Sequence, residues 1–162
     1  RIGDDRKPPV DRLFCQSDRA FCDREGVAVG EIGGGMDHAA ARKFGIDVHC
    51  FIGDEDVKEA AKASGMTRSA VSAEKAARLY SECIYAVGNA PTALMRLYEL
   101  IEEKKIRPAL IIGVPVGFVN VVEAKELILR TDVPAIIARG RKGGSNIAAA
   151  ICNALLYEAG GR

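Results

Sequence analysis

The stretch Ala109-Leu110-Ile111-Ile112-Gly113-Val114 decides the fold class, because an unbroken apolar run of this length predicts a strand that is buried on both faces of a sheet. A loop with glycine and proline follows it, and a helix is predicted after the loop, over residues 119–130. Three more short apolar runs, at residues 48–52, 84–87 and 134–138, are predicted strands. Short apolar strands that alternate with helices indicate a parallel sheet.

Helical periodicity and capping residues fill the intervals between these strands. Further helices are predicted over residues 36–44, 92–104 and 146–157. Two more are predicted from residue 54 or 55 to residue 63, and from a cap at Thr67 or Ser69 to about residue 80. The predicted fold class is therefore α/β, a three-layer parallel sheet with helices on both faces, Rossmann-like.

Residues 1–34 lack this regularity. They are rich in Asp and Arg, contain Pro8-Pro9, and offer only a weak strand over residues 27–29. We therefore divide the chain into a divergent N-terminal segment, 1–34, which we expect to be poorly ordered, and an α/β domain, 35–162.

Composition argues against several classes of protein. The 162 residues include 23 Lys and Arg against 22 Asp and Glu, a formal net charge of +1, whereas nucleic-acid binders are usually strongly basic. No apolar run approaches the ~20 residues that a membrane-spanning helix needs, and the charged start does not resemble a secretory signal. Five widely spaced cysteines predict free thiols in a reducing compartment. We expect a cytoplasmic protein that binds neither nucleic acid nor membrane.

A loop that contains glycine follows each predicted strand. These loops are residues 53–56, 88–92, 113–118 and 139–145. Because the carboxyl ends of parallel strands meet at one edge of a sheet, ligands bind there in folds of this kind. Glycine lets a ligand approach the backbone, and a helix start offers N–H groups without partners.

The last of these loops is basic. It contains Arg139, Arg141 and Lys142, and Arg68 begins another predicted helix. Guanidinium and backbone N–H groups together favour an anionic ligand that carries carboxylates or phosphates. The alternative is that the glycines only form tight turns and the cations are solvated. Residues 140–145 match neither the dinucleotide fingerprint nor the P-loop, so no nucleotide cofactor is expected.

Few side chains are candidates for acid–base chemistry. His38 lies on the first predicted helix, away from its apolar positions, and is expected to be exposed. His49 lies inside a predicted strand, where packing is the commoner role of a histidine. Burial is expected of the thiols Cys50, Cys83 and Cys152, and solvent exposure of Glu123 and Lys125.

Five segments carry a resemblance to a known family. They are Val48-His49-Cys50-Phe51-Ile52, Thr67-Arg68-Ser69-Ala70, Ala86-Val87-Gly88-Asn89-Ala90-Pro91-Thr92-Ala93-Leu94, Gly113-Val114-Pro115-Val116-Gly117-Phe118-Val119 and Arg139-Gly140-Arg141-Lys142-Gly143-Gly144-Ser145. In this order they resemble the precorrin-8X methylmutase family, which includes the cobalt-precorrin-8 methylmutases. The resemblance extends from about residue 35 to residue 157, and several ordered motifs are more specific than any single glycine pattern.

The resemblance implies an isomerase of corrin-ring (cobalamin) biosynthesis. The family moves a methyl group from C-11 to C-12 of precorrin-8X or cobalt-precorrin-8, giving hydrogenobyrinate or cobyrinate. It has a parallel-sheet α/β fold, works as a homodimer with the substrate near the subunit interface, and needs no metal or organic cofactor of its own. The implied partner is an anionic tetrapyrrole, and the residues do not distinguish the metal-free substrate from the cobalt one.

The family's substrate-binding residues carry over where the motifs match. Arg68 matches the arginine of a T-R-S motif, which is expected to bind a substrate carboxylate. The implied substrate-binding residues are Thr67, Arg68, Ser69, Gly88, Asn89, Thr92, Gly117, Arg139, Gly143, Gly144 and Ser145. Asn120 stands where the family usually has glycine, a change that could narrow or alter the pocket.

The family's catalytic histidine is not found in this sequence. In the family it lies in an early helix, in a segment resembling V-x-H-A, and is thought to protonate the ring during a 1,5-sigmatropic shift. Neither His38 nor His49 occupies that position, so the catalytic residue is unassigned. We expect the N-terminal part of the family's domain to be absent from this chain or divergent.

Three functions are compatible with these patterns. The first is precorrin-8X methylmutase activity, and the second is corrinoid binding without catalysis, by a homologue that lacks the histidine. The third is a small α/β module that binds another anionic metabolite.

Overall fold

The computed structural model describes residues 15–17, 28–31 and 35–159 of the chain. Most of segment 1–34 lies outside the described residues, so its expected disorder stays a prediction. The elements, in chain order, are β1 Cys15–Ser17, β2 Ala28–Glu31, α1 His38–Lys43, α2 Glu55–Ser64, α3 Arg68–Leu79, β3 Ile84–Val87, α4 Pro91–Glu102, β4 Leu110–Gly113, α5 Val121–Leu129, β5 Ala135–Ile137 and α6 Ser145–Ala159.

Strands β3, β4 and β5 form one parallel sheet in that order. Val87 pairs with Gly113, and Gly113 pairs with Ile137, so the three strands end level with one another. Strands β1 and β2 form a separate parallel pair, and β2 overlaps the weak strand predicted over residues 27–29. The parallel sheet predicted from the apolar runs is confirmed.

The strand predicted over residues 48–52 is wrong. Val48, His49, Cys50 and Phe51 are buried, but they form no strand in the structure. The backbone turns directly afterwards, where Asp54 N–H donates to Phe51 O at 3.0 Å. A short apolar run indicates burial and not strand pairing, and here side-chain packing satisfies the pattern. Residues 53–56 therefore follow no strand and lead into α2 instead.

Helices cover both faces of the sheet at β4. Ile111 and Ile112 point to opposite faces, and both are 0 % exposed. A methyl group on Gly113 would meet Leu94 Cδ1 of α4 at 3.1 Å, so α4 covers the face that Gly113 and Ile111 share. Helix α5 packs on α4, and α6 packs on β3 and β4. The three-layer α/β fold predicted from the sequence is confirmed.

Local signals fix where the helices begin and end. The Thr67 hydroxyl accepts from Ala70 N–H at 3.2 Å and caps α3, while Pro91 occupies the first turn of α4. Gly65 ends α2 in the left-handed conformation, with φ +70°. The six helices observed correspond to the six predicted over residues 36–157.

Three cysteines of the described residues are buried and form no disulfide: Cys50, Cys83 and Cys152. Burial raises the pKa of the Cys83 and Cys152 thiols far above the usual range, which makes them unreactive, as predicted. Cys22 and the side chain of Cys15 lie outside the described residues. Within the described ranges, no helix has the length and apolarity needed to cross a membrane.

His49 is a packed residue of the core, as predicted. Its ring stacks on Tyr80, with centroids 4.8 Å apart, and on Phe51, with centroids 5.5 Å apart. Burial lowers the pKa of His49 to about 4, and the charge of Asp47 opposes this shift only in part. His49 is therefore neutral near pH 7. His38, which was expected to be exposed, is half-buried at the first position of α1.

The depressed pKa of His49 makes the free energy of unfolding depend on pH. The unfolded chain takes up a proton at His49 near pH 6.5 and the folded chain only near pH 4, so stability falls as the pH falls through this window. We expect wild type to lose up to about 3 kcal/mol through this group, at 1.36 kcal/mol per pKa unit. His49→Phe keeps an aromatic ring for stacking but has no group that takes up the proton. Between pH 7.5 and pH 4, the free energy of unfolding measured by urea titration is therefore expected to fall less in His49→Phe than in wild type. An equal loss in both proteins contradicts the assignment.

Candidate functional site

Three loops meet at the carboxyl edge of the sheet. Residues 88–90 follow β3, residues 114–120 follow β4, and residues 138–144 follow β5. Val114 N–H donates to Val87 O at 2.9 Å, which joins the end of β4 to the end of β3. Gly144 N–H donates to Val114 O at 2.8 Å, which joins the loop after β5 to the loop after β4. The edge predicted from the parallel strands is therefore continuous.

Gly143 is the point of closest approach between two of these loops. A methyl group at this position would lie 2.1 Å from Val114 O and 2.6 Å from Pro115 O, both backbone atoms that cannot rotate away. Only glycine fits there. Gly117 N–H, in the facing loop, makes a longer contact of 3.4 Å with Arg141 O.

The start of α3 joins the same edge through a side-chain hydrogen bond. The hydroxyl oxygens of Thr67 and Thr92 lie 2.8 Å apart, so the first turn of α3 lies against the first turn of α4. Arg68, the first residue of α3, is exposed beside this contact, and Ser69 is half-buried. Two helix N-termini with their partial positive charge therefore lie side by side at the edge.

Cations and apolar side chains share the surface of this edge. Arg139 is exposed and its Nε lies 4.0 Å from Glu126 Oε1 on α5. The Arg141 guanidinium lies 5.9 Å from the centre of the Phe118 ring, and Phe118 is 84 % exposed. Val119 beside it is 75 % exposed. An arrangement of this kind can pair with carboxylates and cover an apolar surface at the same time.

The structure places all the predicted binding residues along this edge, in two groups joined by the β3–β4 pairing. The first group comes from the start of α3, the loop after β3 and the start of α4: Thr67, Arg68, Ser69, Gly88, Asn89 and Thr92. The second group comes from the two loops that pack on each other and from the start of α6: Gly117, Arg139, Gly143, Gly144 and Ser145. Gly88 is buried and Asn89 is exposed. Ser145 begins α6.

Asn120 adopts the left-handed conformation, with φ +58°, directly before α5. Glycine adopts this conformation at no steric cost, which gives a physical reason for the glycine expected here from the family pattern. Asn is among the few other residues that tolerate it. Asn120 in place of the family's glycine therefore keeps the backbone turn that starts α5.

Sequence reasoning missed Lys125. It was expected to be solvated, but it is 0 % exposed, and its Nζ donates to Gly140 O at 2.8 Å and to Lys142 O at 2.9 Å. A signal was available: Val121, Ala124 and Ile128 are apolar, and their spacing places Lys125 on the same helix face.

The described residues bring no histidine to the edge. His49 lies in the core, and His38 adjoins Asp37, whose carboxylate accepts from the Tyr157 hydroxyl at 2.5 Å. Tyr157 is twelve positions along α6 from Ser145, about 18 Å at 1.5 Å per residue. Nor do His, Cys, Asp or Glu side chains cluster in threes to hold a metal ion within the described ranges. The edge offers cations, hydroxyls and backbone N–H groups that can bind an anion.

A family model described as precorrin-8X methylmutase matches residues 17–158 of the chain. A cobalt-precorrin-8 methylmutase of Leptospira interrogans is 48% identical over 130 residues, which is 75% of this chain and 59% of that protein. A precorrin-8X methylmutase of Pseudomonas aeruginosa is 44% identical over 113 residues, 68% of this chain and 54% of that protein.

A solved structure of precorrin-8X methylmutase from Thermus thermophilus superposes with a TM-score of 0.73 at 36% sequence identity. The superposition covers 83% of this chain and 67% of that one. The chain spans less than two thirds of the length of the curated relatives named above. The match nevertheless extends over most of this chain, and the chain belongs to the precorrin-8X methylmutase family.

Proposed function

We propose that this chain acts in corrin-ring biosynthesis as a precorrin-8X methylmutase, an isomerase that moves a methyl group from C-11 to C-12 of the macrocycle. The product is hydrogenobyrinate, or cobyrinate when the substrate contains cobalt. The observation that carries the proposal is the edge where family-matching residues of α3, α4 and the last two loops meet: Thr67 contacts Thr92, and Gly144 contacts Val114.

The chemistry of the edge suits this substrate, an apolar ring with carboxylates around its rim. The exposed guanidinium of Arg68, at a helix start, can pair with one carboxylate. Arg139, across the edge, can pair with another, because its contact with Glu126 is long and exposed. The remaining residues assigned to binding are Thr67, Ser69, Gly88, Asn89, Thr92, Gly117, Gly143, Gly144 and Ser145, and no resident cofactor is proposed.

Binding and proton donation are separate requirements of the reaction. The edge described above supplies cations, hydroxyls and backbone N–H groups, which bind and orient an anionic ring. The family's proton donor is a histidine in a V-x-H-A segment, which residues 1–162 do not contain. We therefore assign the binding role to this edge and the proton-donor role to none of its residues.

Turnover is the direct test of the proposal. Incubated with precorrin-8X, the chain is expected to produce hydrogenobyrinate, which visible absorbance follows in time. Tight binding of hydrogenobyrinate without turnover would identify a corrinoid-binding homologue that does not catalyse. Absence of both would leave the module for another anionic metabolite.

Arg68→Ala tests the assigned carboxylate contact. We expect the dissociation constant of hydrogenobyrinate to rise about tenfold or more, the usual effect of losing a hydrogen bond to a charged group. Arg78→Ala is the matched control, because Arg78 is exposed at the far end of the same helix. Absorbance titration measures both constants. Equal affinities in the two variants would remove Arg68 from the site.

Gly143→Ala tests the packing of the two loops under the proposed ligand. The added methyl group cannot fit against Val114 O, so the loop must shift and hydrogenobyrinate binding is expected to weaken strongly. Gly53→Ala is the control, since a methyl group there meets nothing within 4 Å. The two variants are compared in the same titration. Unchanged binding in Gly143→Ala would show that the loop shift does not reach the ligand.

We further propose a cytoplasmic homodimer with the substrate near the subunit interface, as the family resemblance implies. The exposed Phe118 and Val119, beside the binding edge, provide apolar surface that a second copy can cover. Val119→Glu is expected to shift the dimer to monomer in analytical ultracentrifugation. Leu79→Glu is the control, because Leu79 is also exposed but lies at the end of α3 away from the edge. A monomeric wild-type chain would overturn the proposal.

A further inference from the structure

Lys125 is a buried cation beneath the basic loop. It lies in the middle of α5, whose neighbouring residues Val121, Ala124 and Ile128 are all buried. Its side chain is 0 % exposed, and its Nζ donates to the carbonyl oxygens of Gly140 and Lys142 at 2.8 and 2.9 Å. In the part of the chain that the structure describes, these carbonyls are its polar contacts, and no carboxylate pairs with it.

A lysine in this position lowers the stability of the fold, because an ammonium group loses its hydration on burial. The same burial lowers the pKa of Lys125. An apolar side chain would pack on this helix face without that cost. The ammonium is therefore best explained by its hydrogen bonds to Gly140 O and Lys142 O, the backbone carbonyls on either side of Arg141.

The loop needs such a restraint. Gly140 and Gly144 have φ of +78° and +138°, conformations that favour glycine, and glycine adds conformational freedom that must be lost to fix the loop. Lys125 fixes the carbonyls of Gly140 and Lys142 from below, while Gly144 N–H is fixed to Val114 O. Arg139 and Arg141 remain exposed above.

We propose that Lys125 is a positioning residue, whose ammonium holds the loop of residues 139–145 in its binding conformation by fixing the carbonyls of Gly140 and Lys142. Lys125 touches no ligand in this role, because it is covered by the loop itself. The inference about the loop stands on the contacts alone, whereas its consequence for hydrogenobyrinate rests on the proposed function.

Lys125→Met removes the ammonium and keeps an apolar side chain of similar length. Hydrogen exchange of the Gly144 amide, which donates to Val114 O, is expected to speed up about tenfold or more, because two charge-assisted hydrogen bonds are lost. Amides of β3 and α3 are expected to keep their rates. The dissociation constant of hydrogenobyrinate is expected to rise about tenfold by the same loss.

Two further variants separate positioning from general destabilisation. Lys125→Arg keeps a cationic donor and is expected to restore slow exchange at Gly144 in part, whereas loss of packing alone would not be rescued. Lys62→Met, at an exposed site on α2, controls for removal of a lysine. Exchange at Gly144 that is unchanged in Lys125→Met, or that rises equally in β3 and α3, overturns the proposal.

One outcome separates this inference from the proposed function. Faster exchange at Gly144 in Lys125→Met, together with no hydrogenobyrinate binding by wild type, supports the role of Lys125 and rejects the proposed ligand.

If Lys125→Met does not fold, wild type supplies the test through acetylation of Lys125 by acetic anhydride. Equal slowing of Lys125 acetylation and of Gly144 amide exchange, each relative to a fully exposed group, supports a single opening of the loop. A much less protected Gly144 amide overturns the proposal.

Discussion

The pairing of β4 with a parallel strand on each side is the constraint on which the rest of the structure depends. Ile111 and Ile112 are both fully buried, so helices must cover both faces. Gly113 ends the strand without a side chain and leaves room for Leu94 of α4 and Ile137 of β5. Because the three strands end level, the loops that follow them are forced together, and the candidate site forms where they meet.

Burial lowers the pKa of both His49 and Lys125, but the fold surrounds the two side chains with different partners. His49 is stacked among aromatic rings, and its low pKa keeps it neutral, so it contributes packing and no charge near neutral pH. Lys125 lies among apolar neighbours on α5, but two backbone carbonyls face its ammonium. The difference lies in the partners that the fold offers: aromatic rings stack on the neutral imidazole, whereas carbonyl oxygens accept hydrogen bonds from the ammonium.

The proposed function uses the edge of the sheet for binding and assigns proton transfer to none of its residues. Its polar groups include guanidinium ions, hydroxyls and backbone N–H groups, all of which donate hydrogen bonds to an anion. Such groups can orient a ring that carries several carboxylates. Glycine has no side chain, so a ring can lie close to the backbone at the glycine positions. The methyl shift proposed for this chain would gain from such a fixed geometry, because the migrating group and its destination belong to the same ring.

The sequence by itself determined the order of the elements from α2 to α6 and three of the four loops predicted at the edge. Apolar runs separated by helical periods are local patterns, and the proline in the first turn of α4, Pro91, is a local signal as well. Only the tertiary structure decided what depends on distant neighbours. Residues 48–52 carry the composition of a strand but are buried by side-chain packing, and Lys125 carries the charge of a surface residue but is covered by a loop fifteen residues later. The contact between Thr67 and Thr92 belongs to the same class, because no local pattern reports which helix starts will meet.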